Sequence, residues 1–462
     1  MKRRGRNIMN GQSDIQKKVI RKKKLSEVQI LAIGFIIVIF TGGTILSLPI
    51  SSVSGESTSF LDSVFTATSA TCVTGLIVVD TGTHWNMFGQ TVIMFLIEIG
   101  GLGFMTFATF ISVLMGRKIT LKSRLLMQEA MNTFGIQGIV KMMIKVMQFA
   151  FGIQMAGILI LATQFVPEYG LGKGLFYSLF HSVSTFCNAG FDIFGNFTSF
   201  TIYYDNPIVL LTVSSLIAIG GIGFTVLLEL YNYRKTKRLS LHCKVVLLVT
   251  GILIIGGALG FFMMEYNNPE TLKAMGLRDK IVNSIATSIT PRTAGINSIS
   301  TTGMTTSSKF LTVILMFIGG SPGSTAGGVK TSTLAIVIGA IICVIKGRDD
   351  VELFKKRIPK DLVYRSMAII AIAMCLVSIV TMFLTMTEPG HGFLELLYET
   401  TSAFGTVGLS MGVTPTLSSP GKIIISVMMY LGRVGPLTVA LALLSKKSDG
   451  NYKYPEGKIL IG

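Results

Sequence analysis

Hydrophobic positions in this chain gather into long uninterrupted runs, separated by short polar stretches that carry most of the charge. Runs near 28–50, 145–165, 245–264 and 366–386 reach the roughly 20 residues that cross a bilayer as helix. Each is followed by a shorter mixed segment, at about 58–69, 174–185, 279–289 and 392–403. These are too short to cross and are predicted to enter the membrane and turn back. A second apolar run follows each, near 88–115, 207–231, 310–345 and 421–445. The plan of span, short helix, strand and span therefore occurs four times, over 28–115, 116–231, 232–345 and 346–445. A basic segment, 1–27, precedes the four repeats and a tail, 446–462, follows them.

Each short helix runs into a Ser/Thr-rich segment that closes on glycine. The four read Thr68-Ser-Ala-Thr-Cys-Val-Thr-Gly75, Val183-Ser-Thr-Phe-Cys-Asn-Ala-Gly190, Ser288-Ile-Thr-Pro-Arg-Thr-Ala-Gly295 and Thr401-Ser-Ala-Phe-Gly-Thr-Val-Gly408. Their glycines recur at intervals of 115, 105 and 113 residues. A second motif recurs inside the second spans: Glu98-Ile-Gly-Gly-Leu-Gly-Phe104, Ala218-Ile-Gly-Gly-Ile-Gly-Phe224, Phe317-Ile-Gly-Gly-Ser-Pro-Gly323 and Tyr430-Leu-Gly-Arg-Val-Gly-Pro436. Its first glycine follows the strand glycine by 25, 30, 24 and 24 residues. Two motifs in constant order and spacing mark an internal repeat. Non-helical backbone at membrane depth is tolerated only where protein buries it or where it lines a wet cavity, and an axis shared by four repeats supplies that setting. The predicted fold is an all-α integral membrane protein: four pseudo-repeats, with eight transmembrane helices, around one central cation pore.

Composition and charge sharpen this picture. Half of the 462 residues are hydrophobic and 14% are charged, against about a quarter in soluble domains. The net charge of +18 is concentrated: blocks Lys2–Lys24, Arg117–Lys145, Arg234–Lys244, Lys346–Arg365 and Lys446–Lys458 hold 32 of the 41 basic residues. All five fall on one side if each repeat crosses twice, which is the positive-inside pattern, with both termini cytoplasmic at the cell membrane. Such blocks suit anionic membrane lipid and do not form the basic face of a soluble fold that nucleic acid requires. Five cysteines lack CxxC spacing and four histidines are scattered, so no disulfide framework or metal cluster is expected. No phosphate-binding loop occurs, so nucleotide does not power this chain directly, and no convergent set of acids or metal ligands points to an enzyme. No cofactor is expected.

Candidate chemistry lies in the glycine strands. Backbone carbonyls of Thr71, Cys72, Val73, Thr74 and Gly75 are the candidate ligands of the first repeat. Phe186, Cys187, Asn188, Ala189 and Gly190 supply the second; Pro291, Arg292, Thr293, Ala294 and Gly295 the third; and Phe404, Gly405, Thr406, Val407 and Gly408 the fourth. Glycine lets a strand present carbonyls to an axis, and rings of carbonyls replace the hydration shell of potassium more readily than that of sodium. Arg433 stands where the other repeats have Gly101, Gly221 and Gly320; at that depth it is expected to face the axis below the filter, repelling cations or pairing with an acid. The third second span is interrupted by Gly319, Gly320, Ser321, Pro322, Gly323, Ser324, Thr325, Ala326, Gly327 and Gly328, with Lys330 near its end. Pro322 and five glycines cannot continue a helix, and this segment is the candidate gate. Arg292 and Glu399 are expected to form an ion pair behind the filter, Asp62 and Asp80 to concentrate cations outside, and Glu98 to pair with a base.

On these strands and span motifs the chain resembles the Trk/Ktr/HKT superfamily of potassium transporters, from about Val28 to Leu444, and most of all its Ktr membrane subunits. The resemblance implies potassium uptake by a channel-like route driven by the membrane potential. It associates glycine in all four strands with potassium and serine in the first with sodium preference. It also implies a gating loop at 319–330, a homodimer, and a cytoplasmic ring of nucleotide-binding (RCK-type) regulator subunits. Potassium is then the substrate and sodium a candidate activator. The alternatives are sodium-coupled potassium symport or a sodium-translocating member of the family. Repeats of one orientation favour the channel-like route, since alternating access favours inverted repeats.

Overall fold

The computed structural model describes residues 27–103, 124–125 and 138–435. Basic segments 2–24 and 446–458, most of 117–145, and positions 104–115 and 436–445 of the expected second spans lie outside the described residues.

Four long apolar helices set the frame: α1 (Glu27–Ser47), α4 (Ile139–Tyr169), α8 (Leu241–Glu265) and α12 (Lys360–Thr387). Each is followed by a short helix: α2 (Phe60–Thr71), α5 (Leu171–Phe186), α9 (Leu277–Ile289) and α13 (Phe393–Gly405). A further helix then descends in each quarter: α3 (Met87–Leu102), α6 (Pro207–Ile222) continued by α7 (Phe224–Thr236), α10 (Thr306–Phe317) followed by α11 (Thr331–Ile345), and α14 (Ser419–Val434). Among the described residues, four helices are long and apolar enough to cross a membrane, or five if α6 and α7 form one bent span. The outer faces stay apolar and exposed: Ile252, Ile255 and Leu259 share one stripe of α8, as lipid requires. The chain is a multi-pass membrane protein. The strands among the described residues are a two-residue pair, β1 (Glu352–Leu353) and β2 (Lys356–Arg357).

The same device starts all four descending helices. Asn86, Asn206, Thr305 and Ser418 each cap the first free backbone N–H groups with a side-chain oxygen. Each cap residue is also tied to the chain near the outer end of its quarter's long helix. Asn86 donates to Ile50 O (2.7 Å) and Asn206 to Gln164 (3.0 Å), while Glu265 accepts from Thr305 (2.8 Å) and Glu388 from Ser418. The quarters then close on one another: α3 packs on α5, α6 on α9, α10 on α13, and α14 back on α2.

The descending helices correct one expectation. Continuous spans over 88–115, 207–231 and 421–445 were predicted, with a break in the third quarter alone. Instead α6 and α7 meet at 97° across Gly223, and α3 and α14 end at Leu102 and Val434. The reason is the last glycine of each motif: Gly103, Gly223 and Gly435 have φ of 84°, 103° and 94°, a region closed to a helix of L-residues. The N–H freed at Phe224 donates to Gly323 O (2.8 Å), in the interrupted segment of the third quarter.

Candidate functional site

The four strands share one backbone conformation. Two residues before each glycine the chain is left-handed at a residue with a side chain: Val73, Asn188, Thr293 and Thr406 have φ of 59°, 60°, 78° and 51°. The glycines follow at φ of 90°, 71°, 69° and 94°. Left-handed backbone costs an L-residue about 1–2 kcal/mol, and strain of this kind persists only where its surroundings over-determine it. Here the preceding helix does so. Thr74 N, Ala189 N and Val407 N each donate at 2.8 Å to Ser69 O, Ser184 O and Ser402 O, and Ala294 N donates to Thr290 O at 2.9 Å. The hydroxyls of Ser69 and Ser402 accept from Gly75 N (3.0 Å) and Gly408 N (3.1 Å). Serine and threonine are therefore fasteners of these turns.

The glycines form a closed ring. A Cβ on Gly75 would collide with Ala189 O and Gly190 Cα, one on Gly190 with Ala294 O and Gly295 Cα, one on Gly295 with Val407 O and Gly408 Cα, and one on Gly408 with Thr74 O and Gly75 Cα. Each glycine is thus in backbone contact with the next quarter, in chain order, and the fourth returns to the first. All four also line a single cavity of about 790 Å³. Two carboxylates, Asp192 and Glu270, stand in its wall, and no Lys or Arg lines it among the described residues. Asp192 lies on the loop after Gly190, outside the spanning helices; burial, with the Asp80 carboxylate nearby, pushes its carboxyl up to about 7.

Residues 319–330 lie against the backbone at the helix ends of the other quarters. Ser321 N donates to Gly221 O (2.9 Å), and Arg433 donates to Thr325 O, to Gly100 O and to Gly101 O (3.2 Å). Arg433 is thus held by backbone carbonyls of the first and third quarters, and no ion pair joins it to an acid among the described residues. Lys330 folds back onto its own segment, donating to Ala326 O (2.6 Å) and Gly327 O (3.3 Å). Ser321 and Thr331 hydroxyls meet at 2.9 Å across the base. Gly327 approaches Thr406 so closely that a Cβ there would collide with its hydroxyl.

Several charges differ from expectation. Arg292 and Glu399 do not pair: Arg292 donates to Thr250 Oγ1 (3.3 Å), while Glu399 accepts from Ser410 (2.8 Å) and from Thr414. Each reached a polar partner on a neighbouring element. Asp62 is bound to Lys422 at 2.6 Å, and Asp80 caps the turn Thr81–His84 and accepts from Phe197 N (2.6 Å), so both are engaged in holding structure. Glu98 accepts from Gln154 and Cys187 and meets no base among the described residues. Sequence reasoning missed Asp192 in the cavity wall and the contact of the Asn188 amide with Thr293 (3.2 Å). An acid two residues after a strand glycine was a readable signal; the second contact spans two quarters and had none.

A family model described as TrkH, cation transport protein, matches residues 13–454. The chain belongs to that family. The family is one of transport proteins, not enzymes. The chain is 44% identical, over 97% of its length and all of the relative's, to the potassium/sodium uptake protein NtpJ of Enterococcus hirae. It is 42% identical to Ktr system potassium uptake protein B of Bacillus subtilis, covering 96% of this chain and 99% of that one. The crystal structure of the potassium transporter TrkH from Vibrio parahaemolyticus matches with a TM-score of 0.71 at 16% identity, over 92% of this chain and 86% of that one, a likeness of fold.

Proposed function

We propose that the chain takes up potassium through a pore on the axis of the glycine ring, with eight spans in four repeats wrapped around it. One observation carries this reading: four strands that share a left-handed turn close on one another, and their glycines line one cavity with two carboxylates in its wall. Carbonyls held there by the helices behind them replace the water of a large, weakly hydrated ion with little penalty. An interior about 100 mV negative supplies roughly 2.3 kcal/mol for each monovalent cation entering.

Residues 319–330 serve as the gate, and Arg433 clamps them beneath the ring. Both termini lie in the cytoplasm, following the basic blocks. There a homodimer of this chain receives a ring of nucleotide-binding regulator subunits, a reading supported by relatives named as proteins of a Ktr system. Sodium acts as an activator, and the name of the Enterococcus hirae relative favours testing it also as a permeant ion.

The test is growth and ion uptake at low potassium in cells lacking other potassium importers. The native chain is expected to restore growth. Gly75→Ser, which forces a side chain onto Ala189 O at a φ of 90°, is expected to lose potassium uptake and gain sodium uptake. Normal potassium uptake and unchanged sodium exclusion in an assembled Gly75→Ser protein would refute the filter.

A further inference from the structure

Glu98 is a buried carboxylate at membrane depth, a placement that is expensive and rarely without purpose. It lies on α3, two residues before Gly100, with 7% of its surface exposed. Its Oε2 accepts from Gln154 Nε2 (3.0 Å) and from the Cys187 thiol (3.3 Å). Its Oε1 is buried without a hydrogen-bond partner among the described residues. Gln154 belongs to α4, and Cys187 closes α5 one residue before the left-handed Asn188. A carboxylate of the first quarter thus joins the long helix and the strand-bearing helix of the second. The turn below it faces the same way, as i, i+3 neighbours do: a Cβ on Gly101 would stand 2.7 Å from Cys187 Sγ. Ser182 completes the latch by donating to Gln154 O (2.7 Å).

The position two before the motif glycine recurs as Glu98, Ala218, Phe317 and Tyr430. Phe317 stacks on Phe404 of the fourth strand, centroids 6.0 Å apart, and Tyr430 packs in the hydrophobic cluster that holds Cys72 of the first. Phe317 thus braces the next quarter's strand by ring packing, and Glu98 does so by hydrogen bonds.

We propose that Glu98 is a positioning residue for ion discrimination: through Cys187 it holds the Asn188–Gly190 strand at the spacing that separates potassium from sodium. This rests on reading the glycine ring as the filter. Both donors converge on one oxygen, so the latch needs an acceptor at that point, which glutamine also supplies.

The experiment measures potassium and sodium flux separately in proteoliposomes of the full chain. Glu98→Ala and Cys187→Ala are each expected to lower the potassium-to-sodium flux ratio about fivefold, the order of one net hydrogen bond. The double variant should be no worse than either single one, because the two residues act as a unit. Glu98→Gln should keep the native ratio, and Cys187→Ser, which retains a donor, should lower it less than Cys187→Ala does. A native ratio in both alanine variants, while Gly75→Ser shifts it, overturns the role of Glu98 and leaves the filter standing. Glu98→Gln matching Glu98→Ala in assembled protein also overturns it, since the charge would then be the agent. An unshifted ratio in Gly75→Ser removes the filter and this inference together. Where Glu98→Ala fails to assemble, the Cys187 pair decides: equal ratios in Cys187→Ala and Cys187→Ser refute the latch.

Discussion

Replacing Arg433 by alanine tests the gate directly. In the structure this side chain of the fourth quarter fastens the third quarter's loop, at Thr325 O, to the helix end of the first, at Gly100 O and Gly101 O. A hydrogen bond from a charged donor contributes about 1.5–3 kcal/mol net. Counting only the bond to Thr325, its removal weakens the seat of the loop by that amount. At 1.4 kcal/mol per tenfold, the population with the loop displaced rises roughly tenfold to a hundredfold. Loss of a positive charge beside the proposed path acts in the same direction. The measurement is potassium flux into proteoliposomes under a fixed potential, normalised to assembled protein. Arg433→Lys separates the two effects, because it keeps the charge but offers a point donor in place of a fork able to span three carbonyls; its flux should fall between native and alanine. Flux at or below the native rate in well-assembled Arg433→Ala would refute both the clamp and the barrier.

Deleting 322–328 removes Gly323 O, the partner of Phe224 N, and Thr325 O, one of the three carbonyls that hold Arg433, and on the proposed reading should leave the protein open without the regulator; a tightly closed deletion variant would end the assignment of the gate. Asp192 has its carboxyl near 7, above the ordinary 3.8, so the folded chain binds this proton more tightly than the unfolded chain, and acid favours the fold while discharging the cavity. Lowering the external pH from about 8 to about 6 should therefore reduce uptake at low potassium, an effect that Asp192→Asn should abolish and that an unaltered pH profile in that variant would disprove. Lys422→Ala breaks a half-buried ion pair between the fourth and first quarters and should cost about 1 kcal/mol, read as a lower Tm. The double variant with Asp62→Asn should melt no lower; a further additive drop would mean that the two do not act as a pair.

The starts of the descending helices were legible because they depend on local features. Apolar runs bounded by Asn86, Asn206, Thr305 and Ser418 announce helices with caps, and the strand glycines declare themselves by spacing. The points where these helices stop were misread for an equally local reason: Gly-Gly pairs drew attention, while the decisive residue was the glycine two further on, at 103, 223 and 435. Charge partners were illegible for a different reason. Asp62 and Lys422 stand 360 residues apart, and nothing near either one names the other. Arg292 and Glu399 share a neighbourhood by repeat logic, yet each satisfied its hydrogen bonds on an element that the repeat does not relate to the other: Thr250 on α8 for the first, and Ser410 and Thr414 past the fourth strand for the second. Opposite charge alone does not choose a partner where a hydroxyl in better geometry is at hand.

What the four quarters do not share is as informative as what they do. The strand conformation is common to all, down to the left-handed residue two before each glycine, whereas the span motif has diverged into a helix end, a bend, an open loop and an arginine. Four identical subunits could place an arginine at this depth only by placing four, which would multiply the repulsion on the axis fourfold and leave no facing quarter with free carbonyls to receive a guanidinium. A single chain escapes that constraint. Gly100 and Gly101 leave their carbonyls open to Arg433, and Gly220 and Gly221 offer theirs to Thr325 and Ser321, so two quarters form a seat, a third supplies the loop that rests on it, and the fourth supplies the clamp. On the proposed reading the ring can then stay nearly four-fold, as coordination of a spherical ion favours, while control is confined to one side of the axis below it. Restoring glycine at 433 should therefore affect gating far more than discrimination. A large loss of potassium preference in Arg433→Gly would mean that ring and loop are not separable in this way.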